Sequence, residues 1–161
     1  MVSNVSGRLS RDTVVVTLRD RLRDLPDFVR AVLLFGSVAR NEADERSDID
    51  LLVLHEGLRI SNIVERRRVL YKLVMDRIGD IYDAVTLLDM ELKDFIKPRT
   101  ITPLLLNIYQ DAIVIIDRIG HLEQFLSHVR RRICEVGLVR VKDGKAYYWI
   151  LPKPMQRIQI L

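Results

Sequence analysis

The sequence predicts an α/β (or α+β) domain built on a small mixed β-sheet flanked by helices. Between residues 28 and 116, short apolar runs alternate with amphipathic helical segments, the pattern of a sheet with helices packed on it. Near the C-terminus a long helical segment precedes two short strands, and the Asp143-Gly144 pair between them predicts a hairpin turn. The 161 residues fit a single domain. We expect a core at about residues 9–117 and a C-terminal helix and hairpin at about 118–161.

Each element has its own signal. Apolar residues three or four positions apart predict helices over Ser10–Leu25, Ser61–Ile78, Leu104–Tyr109 and Arg118–Val136. A short helix that carries Leu92, Phe95 and Ile96 is expected after Asp89 and is stopped near Pro98. Continuous or alternating apolar runs predict strands over Phe28–Phe35, Asp48–His55, Ile81–Leu88, Ala112–Ile116, Leu138–Val141 and Ala146–Ile150.

Composition narrows the class of protein. The single cysteine, Cys134, excludes an internal disulfide and a multi-cysteine zinc site, and we expect it to be buried. No apolar run is long enough for a membrane span, and the first residues lack a signal peptide, so a cytoplasmic protein is expected. The formal net charge of +4 favours anionic partners without establishing nucleic acid as one. The arginine bias suits a thermophilic or archaeal source.

Two aspartates at the start of the second predicted strand are the strongest chemical signal. Side chains alternate along a strand, so Asp48 and Asp50 point the same way and repel each other unless cations or protons neutralise them. Oxygen-only ligands favour Mg²⁺ or Mn²⁺, and a pair of such ions is a known device for phosphoryl transfer. A lone Asp-x-Asp is weak evidence, because exposed carboxylates at a strand start are common.

The first predicted strand ends in Gly36-Ser37. A strand that ends in Gly-Ser and opens a helical turn presents backbone N–H groups that can hold a phosphate, and the Ser37 hydroxyl adds a donor. Taken alone, the pair also fits an ordinary turn with a serine cap.

Together these two segments resemble a known family. The pattern is Gly-Ser, ten further residues and then Asp-x-Asp between apolar residues. It is similar to the pattern of the DNA polymerase β superfamily of nucleotidyltransferases. Residues 36–51 resemble its minimal nucleotidyltransferases (MNT), which read Gly-Ser-x-Ala-Arg-Gly-Glu-Ala and then Ser-Asp-Ile-Asp-Leu. Val38 stands where the family often has Arg, which removes one phosphate contact. Asn41 replaces the usual Gly and tolerates a left-handed backbone.

The resemblance implies a metal-dependent site. Asp48 and Asp50 would hold two Mg²⁺ (or Mn²⁺) ions, and a third carboxylate from the next strand would complete the set. Asp83 is the preferred candidate, because a charge inside an apolar strand is costly unless it is used, and Asp80 is the alternative. Nucleotide and phosphate contacts would come from the loop residues Gly36, Ser37, Arg40 and Ser47. Arg40 has a second interpretation, a bridge to Glu42 or Asp44.

Three functions remain open. The first is transfer of a nucleoside monophosphate, AMP by preference, from a triphosphate such as ATP to an acceptor hydroxyl. Proteins of this type are often paired with a helical HEPN toxin, so a tyrosine of such a partner is a candidate acceptor. The second is a binding module that masks its partner with weak or absent chemistry. The third is transfer to a small hydroxylated molecule or to a nucleic acid end.

Other motifs favour structural roles. Histidines at 55, 121 and 128 are expected on polar faces, and residues 147–149 (Tyr-Tyr-Trp) are expected to pack in the core or a dimer. The arginine runs 66–68 and 130–132 fit solvated or partner-facing helix surfaces. The apolar tail, residues 158–161, suggests an exposed strand that pairs within a homodimer.

Overall fold

A computed structural model describes residues 9–152 and 157–161. The predicted domain span of 1–161 therefore includes two stretches, 1–8 and 153–156, that lie outside the described residues. The helices are α1 (Arg11–Arg21), α2 (Gly36–Ala39), α3 (Ile63–Ile78), α4 (Leu92–Ile96), α5 (Pro103–Asp111) and α6 (Leu122–Glu135). The strands are β1 (Val29–Phe35), β2 (Ile49–His55), β3 (Val85–Glu91), β4 (Ile113–Asp117), β5 (Val139–Asp143) and β6 (Ala146–Ile150).

The main sheet has four strands in the order β3-β2-β1-β4. Strand β1 pairs antiparallel with β2 and with β4, whereas β2 pairs parallel with β3, so the predicted mixed sheet is confirmed. Strands β5 and β6 form a separate antiparallel hairpin, which is also confirmed.

Two apolar layers cover the faces of the sheet, which explains why β1 is a nearly continuous hydrophobic run. One layer joins buried residues of α1 and α3 to alternate residues of β1 and β2, among them Leu18, Leu34, Leu51 and Leu70. The other joins α4, α5 and α6 to the opposite face, among them Leu33, Leu52, Phe95, Tyr109 and Leu126. The sheet is thus buried between helices on both sides.

Three predicted boundaries are wrong by four residues, and one of them is the end of α1, which lies at Arg21 rather than Leu25. Strand β3 begins at Val85 rather than Ile81, because the amides of Ile81 and Tyr82 both donate back to the carbonyl oxygen of Ile78 and still belong to the turn that ends α3. Helix α6 begins at Leu122 rather than Arg118, since the carboxylate of Asp117 accepts the amides of residues 119, 120 and 122 and caps the helix there. Asn62, not Ser61, caps α3 by accepting the amide of Glu65 at 3.0 Å.

Two expectations about burial are also wrong. The tail is not an exposed strand, because Ile160 is buried against the second apolar layer with Ile158 and Leu161 partly buried beside it. Cys134 is exposed rather than buried, since its neighbour Ile133 takes the inward position on α6. Within the part of the chain that the structure describes, no helix is both long enough and apolar enough to cross a membrane.

Candidate functional site

The site lies where β1 ends beside the start of β2. Phe35, the last residue of β1, pairs with Asp50, and Gly36 then turns the chain into the single helical turn α2. Gly36 has φ +74°, a left-handed conformation that an L-amino acid with a side chain rarely adopts. The backbone conformation at the end of this strand therefore favours glycine over any other residue.

Close packing against Asp50 also favours glycine at position 36. A Cβ atom placed on Gly36 would lie 2.0 Å from Oδ2 of Asp50 and 2.9 Å from its Cγ. No real pair of atoms tolerates such a separation, so only glycine lets this loop lie directly against the carboxylate. The predicted phosphate loop and the predicted carboxylate pair are thus in contact.

Asp48 and Asp50 differ in environment. Asp48 immediately precedes β2 and is exposed, and its Oδ2 accepts a hydrogen bond of 3.1 Å from Thr86 Oγ1 on β3. Asp50 is half-buried; burial, followed by the negative charge of Asp48, raises its pKa to about 6, and the Arg40 charge offsets part of this rise. The pair thus carries negative charge that its protein surroundings only partly compensate.

The loop from 36 to 47 follows the predicted turn. Asn41 has φ +60°, the only positive φ at a non-glycine position in the described residues, which confirms that the left-handed turn survives the exchange of glycine for asparagine. Val38, which stands in place of the family arginine, is fully buried in the first apolar layer. Ser37 is half-buried, and its carbonyl oxygen accepts the amide of Glu42 at 2.8 Å.

Arg40 is held by two carboxylates. Its Nε lies 3.2 Å from Oε2 of Glu42, and its Nη1 lies 3.4 Å from Oδ2 of Asp111 at the end of α5. Its guanidinium also stacks 4.6 Å above the ring of Tyr147 on the hairpin. Of the two interpretations given to Arg40 from the sequence, the structure shows the bridge to Glu42.

Ser47 lies in a tight turn rather than free in the loop. Its hydroxyl accepts the amide of Asp44 at 2.9 Å and lies 3.3 Å from the Asp44 carboxylate. The hydroxyl therefore orders the residues just before Asp48.

The candidate third carboxylates lie in the segment that joins α3 to β3. Asp83 is exposed and comes two residues before Val85, which pairs with Ile49 between the two site aspartates. Asp80 is exposed and forms an ion pair of 3.2 Å with Arg21 on α1. Among residues 9–152 and 157–161, no three His, Cys, Asp or Glu side chains are grouped so as to hold a metal ion.

The residues present fit a hard divalent cation in part. Asp48 and Asp50 supply oxygen donors from alternate positions on one side of the chain, and their mutual repulsion is the kind that a cation relieves. The backbone of Gly36 packs against the Asp50 carboxylate, so the loop and the carboxylate border the same site. The two aspartates are therefore candidate ligands, and a third has to come from a further side chain, a nucleotide or water.

One buried polar cluster was not predicted. Asp89 on β3 is buried and receives hydrogen bonds from Nε of Arg66, from Nε of Arg67 at 2.8 Å, and shares one of 3.0 Å with Nε2 of His55. Burial alone would raise the pKa of Asp89, but these three hydrogen bonds lower it below its ordinary value. The expectation of a polar-face His55 is therefore wrong, whereas in the arginine run 66–68 only Arg66 is largely buried and Arg67 and Arg68 are exposed. A charge within the apolar run 85–90 was the available signal; the same argument was applied to Asp83, which is not inside a strand but exposed ahead of β3.

Comparisons with known proteins agree with this geometry. The family model for the nucleotidyltransferase domain matches residues 15–114, which include both site aspartates and the loop. A curated relative from Methanocaldococcus jannaschii, named as a candidate protein adenylyltransferase, is 28% identical over 121 residues, 75% of this chain and 81% of the relative.

Solved structures with a similar fold include a candidate nucleotidyltransferase from Sulfolobus solfataricus, with 19% identity and a TM-score of 0.48 over 74% of this chain and 95% of that one. Another is a tri-AMPylated HEPN toxin of Shewanella oneidensis in complex with its MNT antitoxin, with 18% identity and a TM-score of 0.37 over 78% and 87%. A third is a toxin–antitoxin complex with AMP-PNP, with 20% identity and a TM-score of 0.43 over 79% and 92%.

The match of the family model covers more than half of the chain and spans the loop and the aspartate pair that the structure brings together. The chain belongs to the nucleotidyltransferase domain family and is a nucleotidyltransferase.

Proposed function

We propose that this nucleotidyltransferase moves AMP from ATP to a hydroxyl group on a protein, in a reaction that requires Mg²⁺. The observation that carries the proposal is the contact between Gly36 and Asp50, where an added Cβ would lie 2.0 Å from the carboxylate. This contact brings backbone amides suited to phosphate beside the two carboxylates suited to a cation. Transfer of a nucleotidyl group needs the phosphate-binding amides and the cation-binding carboxylates at one place.

A protein acceptor and adenine as the base are supported by the M. jannaschii relative, which is named as a candidate protein adenylyltransferase. The net charge of +4 is also compatible with a polyanionic substrate such as a triphosphate. The minimal nucleotidyltransferase pattern of residues 36–51 supports a HEPN-type partner, whose tyrosine hydroxyl would then be the acceptor.

The site residues have separate roles in this proposal. Asp48 and Asp50 would hold Mg²⁺, with Asp83 as the third carboxylate once nucleotide is bound. Mg²⁺ supplies charge neutralisation at the phosphate oxygens and a lower pKa for a bound hydroxyl. The amides of Gly36 and Ser37 would bind the phosphates, Arg40 would supply positive charge to them, and Ser47 would order the loop that ends at Asp48.

The transfer is a displacement at the α-phosphorus. The acceptor oxygen forms a bond to the α-phosphorus while the bond from that phosphorus to the α–β bridging oxygen breaks. Pyrophosphate leaves with this oxygen, and the acceptor proton passes to the Asp83 carboxylate. Asp83 is suited to this step because it is exposed, so a bulky protein acceptor has access to it.

A labelling experiment tests the proposal. The purified protein is incubated with Mg²⁺ and with a HEPN protein from the same organism. The reaction also contains ATP that is labelled at either the α- or the γ-phosphate. We expect label on the HEPN protein from the α-position only, a mass increase of one AMP, and removal of the signal by EDTA. ATP is expected to label the acceptor more than GTP, CTP or UTP do.

Matched variants give this test its controls. Asp48→Asn and Asp50→Asn are expected to lower labelling by at least about 100-fold. Label from the γ-position would indicate phosphorylation instead, and labelling unaffected by Asp50→Asn would refute the assigned site. An Asp48→Asn protein that still neutralises the partner fully would show that it acts by masking.

A further inference from the structure

The hairpin β5–β6 contacts the loop that carries the site. The ring of Tyr147 contacts two guanidiniums, with Arg40 of the loop 4.6 Å from its centroid and Arg140 of β5 at 4.4 Å. The Tyr147 hydroxyl donates a hydrogen bond to Oε1 of Glu42, and this bond is the largest influence that lowers the pKa of Glu42. One hairpin side chain therefore contacts both Arg40 and the carboxylate that pairs with Arg40.

Asp111 connects the same two arginines from the other side. Its Oδ1 and Oδ2 accept hydrogen bonds of 2.9 and 2.7 Å from Nη2 and Nη1 of Arg140, a two-point pairing that fixes the plane of both groups. Its Oδ2 also lies 3.4 Å from Nη1 of Arg40. The Asp111 side chain is only 7% exposed, so these ion pairs are poorly screened by solvent.

Two further ion pairs attach the tip of the hairpin to the loop. Nζ of Lys142 lies 3.5 Å from Oε1 of Glu42, and Nζ of Lys145 lies 3.1 Å from Oδ2 of Asp44. These pairs are more exposed and contribute less than the Tyr147 and Asp111 contacts. They nevertheless extend the contacts between hairpin and loop along residues 40–44, between Gly36 and Asp48.

Arg40 is where this cluster meets the site. Its side chain is 16% exposed, and its backbone amide donates to the carbonyl oxygen of Gly36 at 3.1 Å, so Arg40 closes the turn that begins at the glycine packed against Asp50. A freely rotating arginine side chain loses rotamer entropy when it binds a phosphate. Holding Arg40 by ring stacking and two carboxylates removes much of that cost before the nucleotide arrives.

We propose that the hairpin β5–β6 is a positioning element for the nucleotide site, in which Tyr147, with Arg140 acting through Asp111, fixes Arg40 for the triphosphate. The inference rests on the proposed function and extends it to Arg140 and Tyr147, which lie outside the matched family segment 15–114. Tyr147, Arg140 and Asp111 are positioning residues that act through Arg40. On this account, a nucleotidyltransferase segment without the hairpin would leave Arg40 less well ordered.

A nucleotide-binding measurement without any acceptor tests the inference. Mg²⁺ with an ATP analogue whose α–β bridging oxygen is replaced by methylene is titrated into the full chain by calorimetry. We expect Tyr147→Ala to raise the Kd about 5- to 10-fold. Tyr147→Phe keeps the ring contacts with the guanidiniums and loses only the hydrogen bond to Glu42. We expect this variant to raise the Kd about twofold. The matched control is Tyr148→Ala, because Tyr148 neighbours Tyr147 on β6 but is 48% exposed, and its Kd is expected to stay within twofold of wild type.

A double-mutant cycle separates positioning from a general loss of structure. In an Arg40→Ala background, Tyr147→Ala is expected to change the Kd less than twofold, because the residue through which it acts is gone. An effect of Tyr147→Ala that persists undiminished in that background, or a wild-type Kd for Tyr147→Ala, would overturn the inference. Thermal melts identify any variant that fails to fold; if Tyr147→Ala does, Arg140→Ala takes its place in the same cycle, with the same expected loss and the same criteria.

The outcomes also distinguish this inference from the proposed function. A wild-type protein that binds none of the four nucleotides with Mg²⁺ would overturn both. Wild-type binding and transfer combined with an unchanged Kd for Tyr147→Ala would overturn the positioning role alone.

Discussion

Gly36 lies against the carboxylate of Asp50 so closely that no side chain fits between them. The residue before Gly36 pairs with Asp50 across β1 and β2, and the positive φ of Gly36 turns the chain over that carboxylate. The same glycine therefore shapes the phosphate loop and holds it directly against the Asp50 carboxylate.

We predict that Gly36→Ala abolishes transfer. The new Cβ would displace the Asp50 carboxylate, and displacement of a catalytic group by about 1 Å can cost about 100-fold in rate. The positive φ adds a backbone penalty of about 1–2 kcal/mol in the free energy of unfolding. AMP transfer is measured alongside urea denaturation.

Gly57→Ala is the matched control for this substitution. Gly57 has φ +79°, close to that of Gly36, but an added Cβ would meet nothing within 4 Å. We expect a similar backbone penalty and unchanged transfer. Full activity of Gly36→Ala, or equal losses for the two variants, would show that the contact with Asp50 is irrelevant to transfer.

We predict that Mg²⁺ stabilises the wild-type protein through the two site aspartates. A ligand that binds only the folded state stabilises it by about 2.7 kcal/mol at 100 times its Kd. The increase in Tm with Mg²⁺ should disappear in Asp48→Asn and Asp50→Asn, because each removes an oxygen donor and the repulsion that the cation relieves. Differential scanning fluorimetry with and without EDTA measures the increase.

Measurement of AMP transfer discriminates between Asp83 and Asp80, the two candidates for the third carboxylate. We expect Asp83→Asn to lower AMP transfer at least about 10-fold. Asp80→Asn should retain transfer, since Asp80 is paired with Arg21 on α1. The reverse result would move the third role from Asp83 to Asp80.

We predict that Asn41 tolerates glycine but not a β-branched residue. At φ +60°, Asn41→Gly should change the free energy of unfolding by only a few tenths of a kcal/mol, whereas Asn41→Val should lower it by about 1–2 kcal/mol. Chemical denaturation measures both. Equal stabilities for the Gly and Val variants would contradict the left-handed turn.

We predict that Asp89 makes the protein sensitive to acid. Its pKa in the folded protein lies below the ordinary value of 3.8, so its contribution to stability is present above that pH and is lost as the pH falls through the lower folded-state pKa. Asp89→Asn should cost about 3 kcal/mol at pH 7, because it leaves Arg66 and Arg67 without their buried partner. It should also flatten the decline in stability below pH 4, measured by urea denaturation from pH 7 to pH 3.

Asp76→Asn is the control for an exposed ion pair. Asp76 pairs with Lys72 one helical turn away at 2.9 Å, and both side chains are more than half exposed. We expect a change below about 0.5 kcal/mol at pH 7. A loss for Asp89→Asn no larger than this would mean that the buried cluster contributes little.

Features that depend on local chain geometry were predictable from the sequence. The common direction of the Asp48 and Asp50 side chains follows from the alternation of side chains along a strand. The turns at Gly36 and Asn41 follow from the left-handed backbone conformation that glycine and asparagine tolerate. These are also the features that the family pattern repeats, so the fold followed from residues 32–54 together with the order of the predicted elements, and the site residues stay a prediction.

Features that depend on distant partners were not predictable in this way. His55 is buried because Asp89 lies 34 residues further along the chain on the neighbouring strand, and Arg66 reaches the same carboxylate from α3. Nothing near Arg40 in the sequence indicates Asp111 or Tyr147, which reach it only through the packing of α5 and the hairpin. The tail likewise gains its buried position from the helices around it.

A crystal grown with Mn²⁺ and the methylene ATP analogue tests the central claim most directly, because anomalous scattering locates the metal without reference to the protein. We predict a Mn²⁺ peak bridging carboxylate oxygens of Asp48 and Asp50 at about 2.0–2.3 Å, with the phosphates against Gly36 and Ser37. A peak bound elsewhere, with both aspartates free of metal, would contradict the account.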